Sequence, residues 1–299
     1  SVDTGFGRTK AINEDLEFDF PSVIGTFQPV KDRSELGGTN LIKQLAIDYD
    51  GQWFVGDSAL RQSIPQNTID ADRTVNTEGL VLLMAAMAVM SKNPKEEVKL
   101  VVGLPVLHYN RLKNTYLNAV TGTHHVRLLN MDGSVRRDTV ITVDDAKVLR
   151  QPFGTLYNEM LDDNGVINSK MAKGKNGVIT IGYNTLELAV IDNLEYIQRR
   201  STSFPEMGMY SIYKALSSEI SENYGIDITP TKLEPAVKSG ILNVRGKEVS
   251  IKPHIDTAIK KATGENLSQI KSFWPDRWEL DRIFIGGGTS FLIGESVRD

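Results

Sequence analysis

The sequence predicts an α/β fold with two lobes, each built on a mixed sheet flanked by helices. Patterns typical of strands and of helices alternate through both halves of the chain. The 299 residues fit one large or two ordinary domains, because a single core seldom grows beyond about 250–300 residues. A third observation is a turn of glycine and small hydroxyl residues that recurs in both halves. We therefore expect one lobe over residues 1–160 and a second over residues 161–299.

The recurring turn is found at residues 3–10 (Asp-Thr-Gly-Phe-Gly-Arg-Thr-Lys), 180–185 (Thr-Ile-Gly-Tyr-Asn-Thr) and 285–289 (Ile-Gly-Gly-Gly-Thr). Glycine has no Cβ and tolerates positive φ, so such a turn brings backbone N–H groups close to phosphate oxygens. Any one of these turns is more often a plain hairpin or bulge than a ligand site. Their joint occurrence predicts a nucleotide cleft divided between the lobes.

The first turn separates this site from the two commonest phosphate loops. It leads back into an apolar strand at Lys10, whereas the turns of Rossmann folds and P-loops open a helix. The sequence contains no Gly-x-x-x-x-Gly-Lys-Ser/Thr motif. Hairpins are therefore predicted to hold the phosphates.

The first half opens with strands and then carries a polar, glycine-containing stretch over residues 31–40. We expect this stretch to be an exposed loop that docks a neighbouring copy in an assembly. The apolar run over residues 80–90 predicts a buried helix, and residues 98–102 predict a strand. Alternation over residues 126–143 predicts a hairpin.

The second half repeats this plan. Hairpins are predicted over residues 177–190 and 241–251. Apolar residues at three-to-four spacing predict helices over residues 210–224 and 255–273. A strand over residues 282–285 then leads into the last glycine turn.

Composition excludes several classes of function. The chain has no cysteine, so it forms no disulfide, and its longest apolar run is shorter than the about 20 residues that span a bilayer. These features predict a cytoplasmic protein that does not contact membranes. The formal net charge of -4 argues against broad binding of nucleic acid. The basic pairs are short and are expected to be solvated surface: Arg136-Arg137, Arg199-Arg200 and Lys260-Lys261.

The motifs, taken in order, resemble those of the actin-like ATPases, and within them the plasmid-segregation proteins of the ParM (StbA) type and their archaeal and phage relatives. The resemblance covers most of the chain and implies the two-lobed actin-like fold. The segments that carry it are residues 3–10 (first phosphate hairpin), 20–25 and 54–59 (following strands), 100–105 (first connecting strand), 151–156 (entry to the interdomain helix) and 285–289 (adenosine loop).

This resemblance implies a filament-forming protein that binds ATP or GTP with Mg²⁺, hydrolyses it, and segregates DNA through an adaptor protein. Two alternatives remain open. A metabolite kinase of the same superfamily would need a carboxylate base aimed at an acceptor hydroxyl. A nucleotide-binding regulator without turnover would need binding alone.

Three residues are candidates for the catalytic work that the resemblance implies. Asp3 could hold Mg²⁺ through its water shell, or it could cap its own turn. Gln151 could orient the attacking water without carrying charge, or it could be a polar residue at a strand end. Thr180 stands where the family usually has an aspartate, and Glu187 stands where the strand usually carries another. Hydrolysis is therefore expected to be slow, or the metal to rest on Asp3 alone.

Lys10 could meet a β-phosphate as a point charge or could be an exposed strand lysine. Lys214, Lys232 and Glu234 are possible base contacts, with ordinary solvated helix residues as the alternative. The predicted nucleotide contacts are Gly5, Phe6, Gly7, Thr9, Lys10, Gly182, Tyr183, Asn184, Thr185, Lys214, Gly286, Gly287, Gly288 and Thr289. The sequence starts shortly before Asp3 and ends shortly after the last glycine turn, whereas family members continue further, so a trimmed sequence or a reduced protein is expected.

Overall fold

The computed structural model describes residues 1–30, 40–66, 70–162 and 164–290. The chain forms two compact units, which we call unit 1 (Ser1–Leu104 with His108–Arg150) and unit 2 (Pro105–Leu107 with the chain from Gln151 onward). The division falls at Arg150 and not at residue 160, because the helix that begins at Gln151 packs on strands of unit 2.

Unit 1 contains β-strands, α-helices and short 3₁₀ turns. Its strands are β1 Val2–Thr4, β2 Arg8–Ile12, β3 Glu17–Pro21, β4 Ile24–Thr26, β5 Ala46–Asp48, β6 Gln52–Val55, β7 Lys95–Leu104, β8 Gly122–Leu129 and β9 Val135–Arg150. Its helices are α1 Asp57–Gln62, α2 Thr77–Met90 and α3 Tyr109–Val120, with 3₁₀ turns at Ile42–Gln44 and Ala71–Val75.

One mixed sheet organises unit 1, in the order β3-β2-β1-β7-β9-β8-β5-β6-β4. Strand β1 pairs antiparallel with β2 and parallel with β7. Helix α2 packs against β1, β2 and β8, and it is buried from Val81 to Val89. Its first turn is capped by the Asn76 side chain, which accepts from the Gly79 N–H. The buried helix predicted at residues 80–90 is confirmed.

Unit 2 has its own elements. Its strands are β10 Lys175–Ile181, β11 Thr185–Asp192, β12 Glu195–Tyr196, β13 Thr202–Pro205, β14 Ile241–Val244, β15 Lys247–Ser250 and β16 Arg282–Gly286. Its helices are α4 Gln151–Met160, α5 Ser169–Ala172, α6 Met209–Tyr224, α7 Glu234–Ser239 and α8 Lys252–Phe273, with 3₁₀ turns at Gln198–Arg200, Pro230–Lys232 and Arg277–Glu279.

The main sheet of unit 2 is mixed as well, in the order β12-β11-β10-β16, with β13 paired to β11. Strand β10 pairs antiparallel with β11 and parallel with β16. The centre of unit 1 has the same plan, with β1 between β2 and β7. One face of the unit 2 sheet packs on α4 through Val178 and Ala189. The other face packs on α8 through Ile179 and Leu188.

The elements expected from periodicity are present, and two strands are longer than expected. The hairpins predicted at 177–190 and 241–251 are β10–β11 and β14–β15, and the two predicted helices are α6 and α8. Strands β7 and β9 pair in parallel from Lys95 with Val140 to Leu104 with Arg150, so each extends beyond its apolar segment. The loop predicted at residues 31–40 lies almost entirely outside the described residues.

No helix among the described residues combines the length and the apolar character that crossing a bilayer requires. Helix α2 is apolar on all sides but has 14 residues.

Candidate phosphate-binding site

The hairpin of β1 and β2, which contains the first turn, places two charged side chains together. Asp3 lies directly opposite Lys10 in the antiparallel register, and Lys10 lies opposite Asp19 on β3. Directly opposed residues share one face of a sheet, with Cβ atoms about 5 Å apart. Asp3 is half-buried and Lys10 is exposed, so both lie on the less buried face of the hairpin. The hairpin therefore carries a carboxylate and an ammonium side by side on one face.

Thr9 lies on the opposite, buried face of the same hairpin. Its side chain is fully buried, and its hydroxyl is 2.8 Å from the Ser22 hydroxyl. The Ser22 N–H in turn donates to the Gly7 carbonyl at 2.9 Å. The structure thus gives Thr9 a part in bracing the turn, whereas the sequence predicted it as a phosphate contact.

Arg73, in the 3₁₀ turn Ala71–Val75, lies beneath the first turn. Its side chain is almost entirely buried, and both terminal nitrogens donate to the Gly5 carbonyl at 3.3 Å. The guanidinium carbon is 5.5 Å from the centre of the Phe6 ring. No local motif marks Arg73 as a site residue, because 68 positions separate it from Gly5.

Arg73 also forms a buried ion pair with Glu78 in the first turn of α2, with its Nε 2.8 Å from Oε1. Burial lowers the pKa of Arg73, and the Glu78 and Asp3 carboxylates oppose that shift. Removing one partner of such a buried pair leaves an uncompensated charge, which is strongly destabilising. The 3₁₀ turn therefore links the first turn to α2.

The second turn, between β10 and β11, is held by the start of α6. Within the turn, the Gly182 N–H donates to the Thr185 carbonyl at 2.8 Å. From α6, the Met209 N–H donates to the Gly182 carbonyl at 3.2 Å and the Tyr210 N–H donates to the Tyr183 carbonyl at 2.7 Å. A Cβ at Gly208 would lie 2.5 Å from the Tyr183 carbonyl oxygen, so this approach requires glycine. The turn carbonyls thus point toward α6.

Two side-chain oxygens at this turn are buried without a hydrogen-bond partner in the described part of the chain. They are Oδ1 of Asn184, a residue only 4% exposed, and Oγ1 of Thr180. Buried polar atoms are rarely left unpaired, and those that are often mark a place for a ligand or an ordered water. Both residues were predicted as site residues, and both keep hydrogen-bonding capacity there.

Thr180 lies directly opposite Glu187 across β10 and β11. The Glu187 carboxylate is buried, and its Oε1 accepts from the Ser203 hydroxyl at 2.7 Å and from the Val106 N–H at 3.0 Å. These bonds tie β11, β13 and the segment Pro105–Leu107 together. The Glu187 carboxylate therefore stabilises this part of unit 2.

Gln151 is the first residue of α4 and directly follows the end of β9 at Arg150. Its side chain is half-buried. Helix α4 packs on the sheet face of Val178 and Ala189. Thr180 and Glu187 are two residues from these positions and lie on the same face. The structure thus brings the helix of Gln151 onto the sheet face that carries Thr180.

The third turn follows β16 and is fastened to the second. Gly286 lies opposite Thr180 in the parallel register. The Thr289 N–H donates to the Ile181 carbonyl at 3.0 Å, and the Thr289 hydroxyl donates to the Gly182 carbonyl at 2.8 Å. Thr289 is buried, whereas Gly287 and Gly288 are exposed. Thr289 therefore fixes the third turn to the second, and Gly287 and Gly288 stay exposed at its surface.

Gly287 is the most constrained glycine of this turn. Its φ is +94°, and a Cβ there would overlap the carbonyl oxygen of Ile181 and lie 2.7 Å from the carbonyl carbon. Neither the backbone conformation nor the space admits a side chain.

Aromatic side chains surround the second turn on the α6 side. The ring centre of Tyr183 is 5.9 Å from that of Tyr210 and 6.1 Å from that of Tyr213. Burial raises the pKa of Tyr183, and Tyr210 and Glu234 raise it further, so its hydroxyl stays neutral. Of the predicted base contacts, Glu234 acts electrostatically on Tyr183.

Lys214 and Lys232 are both exposed. The Lys214 Nζ is 3.9 Å from the Glu206 carboxylate, an exposed ion pair of little energetic weight. The two lysines do not join the buried contacts of the second turn.

Within the described residues, no group of three or more His, Cys, Asp or Glu side chains could hold a metal ion. Mg²⁺ is commonly bound by one or two carboxylates together with substrate phosphates and water. At the first turn, Asp3 supplies one such carboxylate, and it is half-buried.

The two units share one pattern, an antiparallel hairpin beside a parallel strand, and comparison with known families assigns this architecture to the actin-like proteins. Residues 1–154 match the family described as actin-like proteins, N-terminal domain. Residues 178–299 match the family described as archaeal actin homologue MreB-like, C-terminal. The chain belongs to the actin-like protein family. No curated protein sequence matches it significantly.

Solved structures agree on the fold. A 15-stranded ParM filament from Clostridium botulinum has a TM-score of 0.80 at 20% identity, covering 100% of this chain and 90% of that chain. A non-polymerisable quadruple mutant of pCBH ParM has a TM-score of 0.79 at 20% identity, covering 99% and 90%. Ta0583, an archaeal actin homologue in complex with ADP, has a TM-score of 0.76 at 20% identity, covering 99% and 89%. The predicted actin-like fold is confirmed.

Proposed function

We propose that this protein binds ATP or GTP through its three glycine turns and assembles into filaments when the triphosphate is bound. The observation that carries the proposal is the fixed pair of turns in unit 2, where Thr289 bonds both Ile181 and Gly182. Exposed glycines in turns that are held in place in this way let backbone N–H groups approach phosphate. The ADP complex of Ta0583 supports a nucleotide as the ligand.

The charged residues of the first turn suit the phosphates of that nucleotide. Lys10, exposed on β2, supplies a point charge for a phosphate oxygen. Asp3, on the strand opposite, would hold Mg²⁺ through its water shell, and the ion would offset charge on the phosphates. Gln151 would orient the attacking water through its amide.

Thr180 limits the rate of hydrolysis in this proposal. A hydroxyl can hydrogen-bond a metal-bound water but brings no negative charge. Its Oγ1 is buried without a partner in the described structure, so it is available to one water or ligand atom. This residue favours slow turnover, and it also supports a second candidate function, a nucleotide-binding regulator without turnover.

We expect Thr180→Asp to raise the rate of phosphate release about tenfold, the effect of about 1.4 kcal/mol of added transition-state stabilisation. The new carboxylate would lie opposite the buried Glu187 carboxylate, so the free energy of unfolding should fall by about 1–3 kcal/mol, because two like charges would face each other away from water. Phosphate release under saturating ATP and chemical denaturation measure the two effects. Thr180→Asn is the control, because asparagine has nearly the shape of aspartate without its charge. Equal rates for the Asp and Asn variants would contradict the role assigned to position 180.

DNA segregation in the cytoplasm through an adaptor protein is the biological role that we propose for such filaments. The ParM filament among the similar structures supports self-assembly. Two of the three basic pairs contain an arginine engaged within the fold. Arg137 donates to the Ala88 carbonyl at 3.1 Å, and Arg200 pairs with Glu279 at 2.8 Å. Direct binding of DNA by these pairs is therefore disfavoured, and an adaptor is the simpler route.

Equilibrium binding of ATP, GTP and ADP, together with phosphate release on the same samples, tests the nucleotide part of the proposal. Micromolar or tighter binding with slow release supports it. Nucleotide binding without phosphate release would support the regulator. Phosphate release that a small-molecule acceptor stimulates would support a kinase. Absence of binding to all three nucleotides contradicts the proposal.

A further inference from the structure

We propose that Arg73 is a positioning residue for the first turn, holding one backbone N–H toward the phosphates. The inference rests on the proposed function, since it concerns the same nucleotide. It starts from the two hydrogen bonds, each 3.3 Å, that the Arg73 guanidinium donates to the Gly5 carbonyl.

The direction of the Gly5 carbonyl also fixes the direction of the N–H group in the same peptide. The described chain has no cis peptide bond, and in a planar trans peptide the C=O and N–H groups point in opposite directions. The Gly5 carbonyl points at Arg73, beneath the turn. The N–H of that peptide group, carried by Phe6, therefore points to the other side of the turn.

Glycine makes this peptide group easy to rotate, so an anchor matters here. Gly5 and Gly7 themselves have wide backbone freedom, so the peptide groups between them can rotate. Arg73 removes that freedom by bonding the carbonyl. Its own position is fixed by the ion pair to Glu78 and by the Phe6 ring above the guanidinium.

The 3₁₀ turn is itself tied to helix α3. Asp72 forms an exposed ion pair with Arg111 of α3 at 2.6 Å, so the turn that carries Arg73 contacts both neighbouring helices of unit 1, and the buried pair with Glu78 is the stronger of the two contacts. A backbone N–H that already points at the ligand site binds an anion without losing conformational entropy on binding. Arg73 thus raises the affinity for phosphate groups without touching them.

The test compares wild type with Arg73→Gln and Arg73→Lys for binding of ATP, ADP and adenosine. Arg73→Gln should lose about tenfold in affinity for ATP and ADP, the value of one hydrogen bond to a charged group. Its affinity for adenosine should be unchanged. Arg73→Lys keeps the charge but not the planar fork of donors, so its loss should be smaller. If Arg73→Gln does not fold, Arg73→Lys carries the test.

Arg137→Gln is the matched control. Arg137 is also an arginine of unit 1 that donates to backbone carbonyls, those of Ala88 and Ser91 at the other end of α2. Its replacement should lower the melting temperature and leave all three affinities unchanged. An Arg73 variant that binds ATP like wild type, or that loses ATP and adenosine in equal proportion, overturns the inference alone. A wild type that binds neither ATP nor ADP overturns the proposed function and this inference with it.

Discussion

Replacing Asp3 with asparagine is expected to lower the rate of phosphate release on the order of a hundredfold, or about 3 kcal/mol of transition-state stabilisation. The amide keeps the shape of the side chain but loses the charge that would hold Mg²⁺. Asp3 lies opposite Lys10 on the less buried face of the β1–β2 hairpin, but its carboxylate also acts on the buried Arg73 guanidinium, so thermal unfolding of the variant is measured beside phosphate release. Phosphate release measured against Mg²⁺ concentration gives the result.

Asp48→Asn provides the control for this change. Asp48 is on β5 of the same sheet, several strands away from β1, and it forms an ion pair with Arg127 at 2.9 Å. Its replacement also removes one carboxylate and should leave phosphate release unchanged. If Asp3→Asn hydrolyses ATP with the wild-type dependence on Mg²⁺, Asp3 is not the metal-holding residue.

Replacing Gly287 with alanine should abolish nucleotide binding and destabilise unit 2. A side chain at its φ of +94° is strained by about 1–2 kcal/mol. The new Cβ also meets the Ile181 backbone, and overlap of that kind costs about 1–3 kcal/mol more. Relief of the overlap would separate the third turn from the second. Equilibrium binding of ATP and thermal unfolding measure the two effects.

Gly246→Ala separates backbone strain from overlap. Gly246 has a similar φ of +83°, but a Cβ there would have no atom within 4 Å. It lies in the turn of the β14–β15 hairpin. This variant should lose only the strain energy and should bind ATP like wild type. Equal losses of stability in the two variants, with ATP binding retained in Gly287→Ala, would show that the contact with Ile181 does not matter.

Local pattern was sufficient to predict most elements of the fold. Period-two and period-three-to-four spacing located β10–β11, α6 and α8, because each depends on which of its own residues are apolar. The extent of β7 and β9 was not predictable in this way. Their ends at residues 95 and 150 depend on pairing with each other, and the polar residues at those ends give no strand signal.

The candidate site was predictable only where a motif was continuous in sequence. Glycine turns identified Gly182 and Gly287, since a tight turn leaves its mark in consecutive residues. Thr9 lies in such a turn, but its buried orientation follows from strand register, which the motif does not contain. Arg73 reaches Gly5 from 68 positions away, and nothing in the residues around it marks that contact. Its part in the site became visible only with the tertiary structure.

We infer that binding of a nucleoside triphosphate drives assembly. The most direct test is light scattering followed by negative-stain imaging of the purified protein with ATP, GTP, ADP and a non-hydrolysable analogue, with phosphate release recorded on the same samples. We predict filaments with a triphosphate and none with ADP, filaments that disassemble as phosphate is released, and filaments that persist with the analogue. A protein that binds the triphosphate and stays unassembled at every concentration up to saturation would contradict the claim.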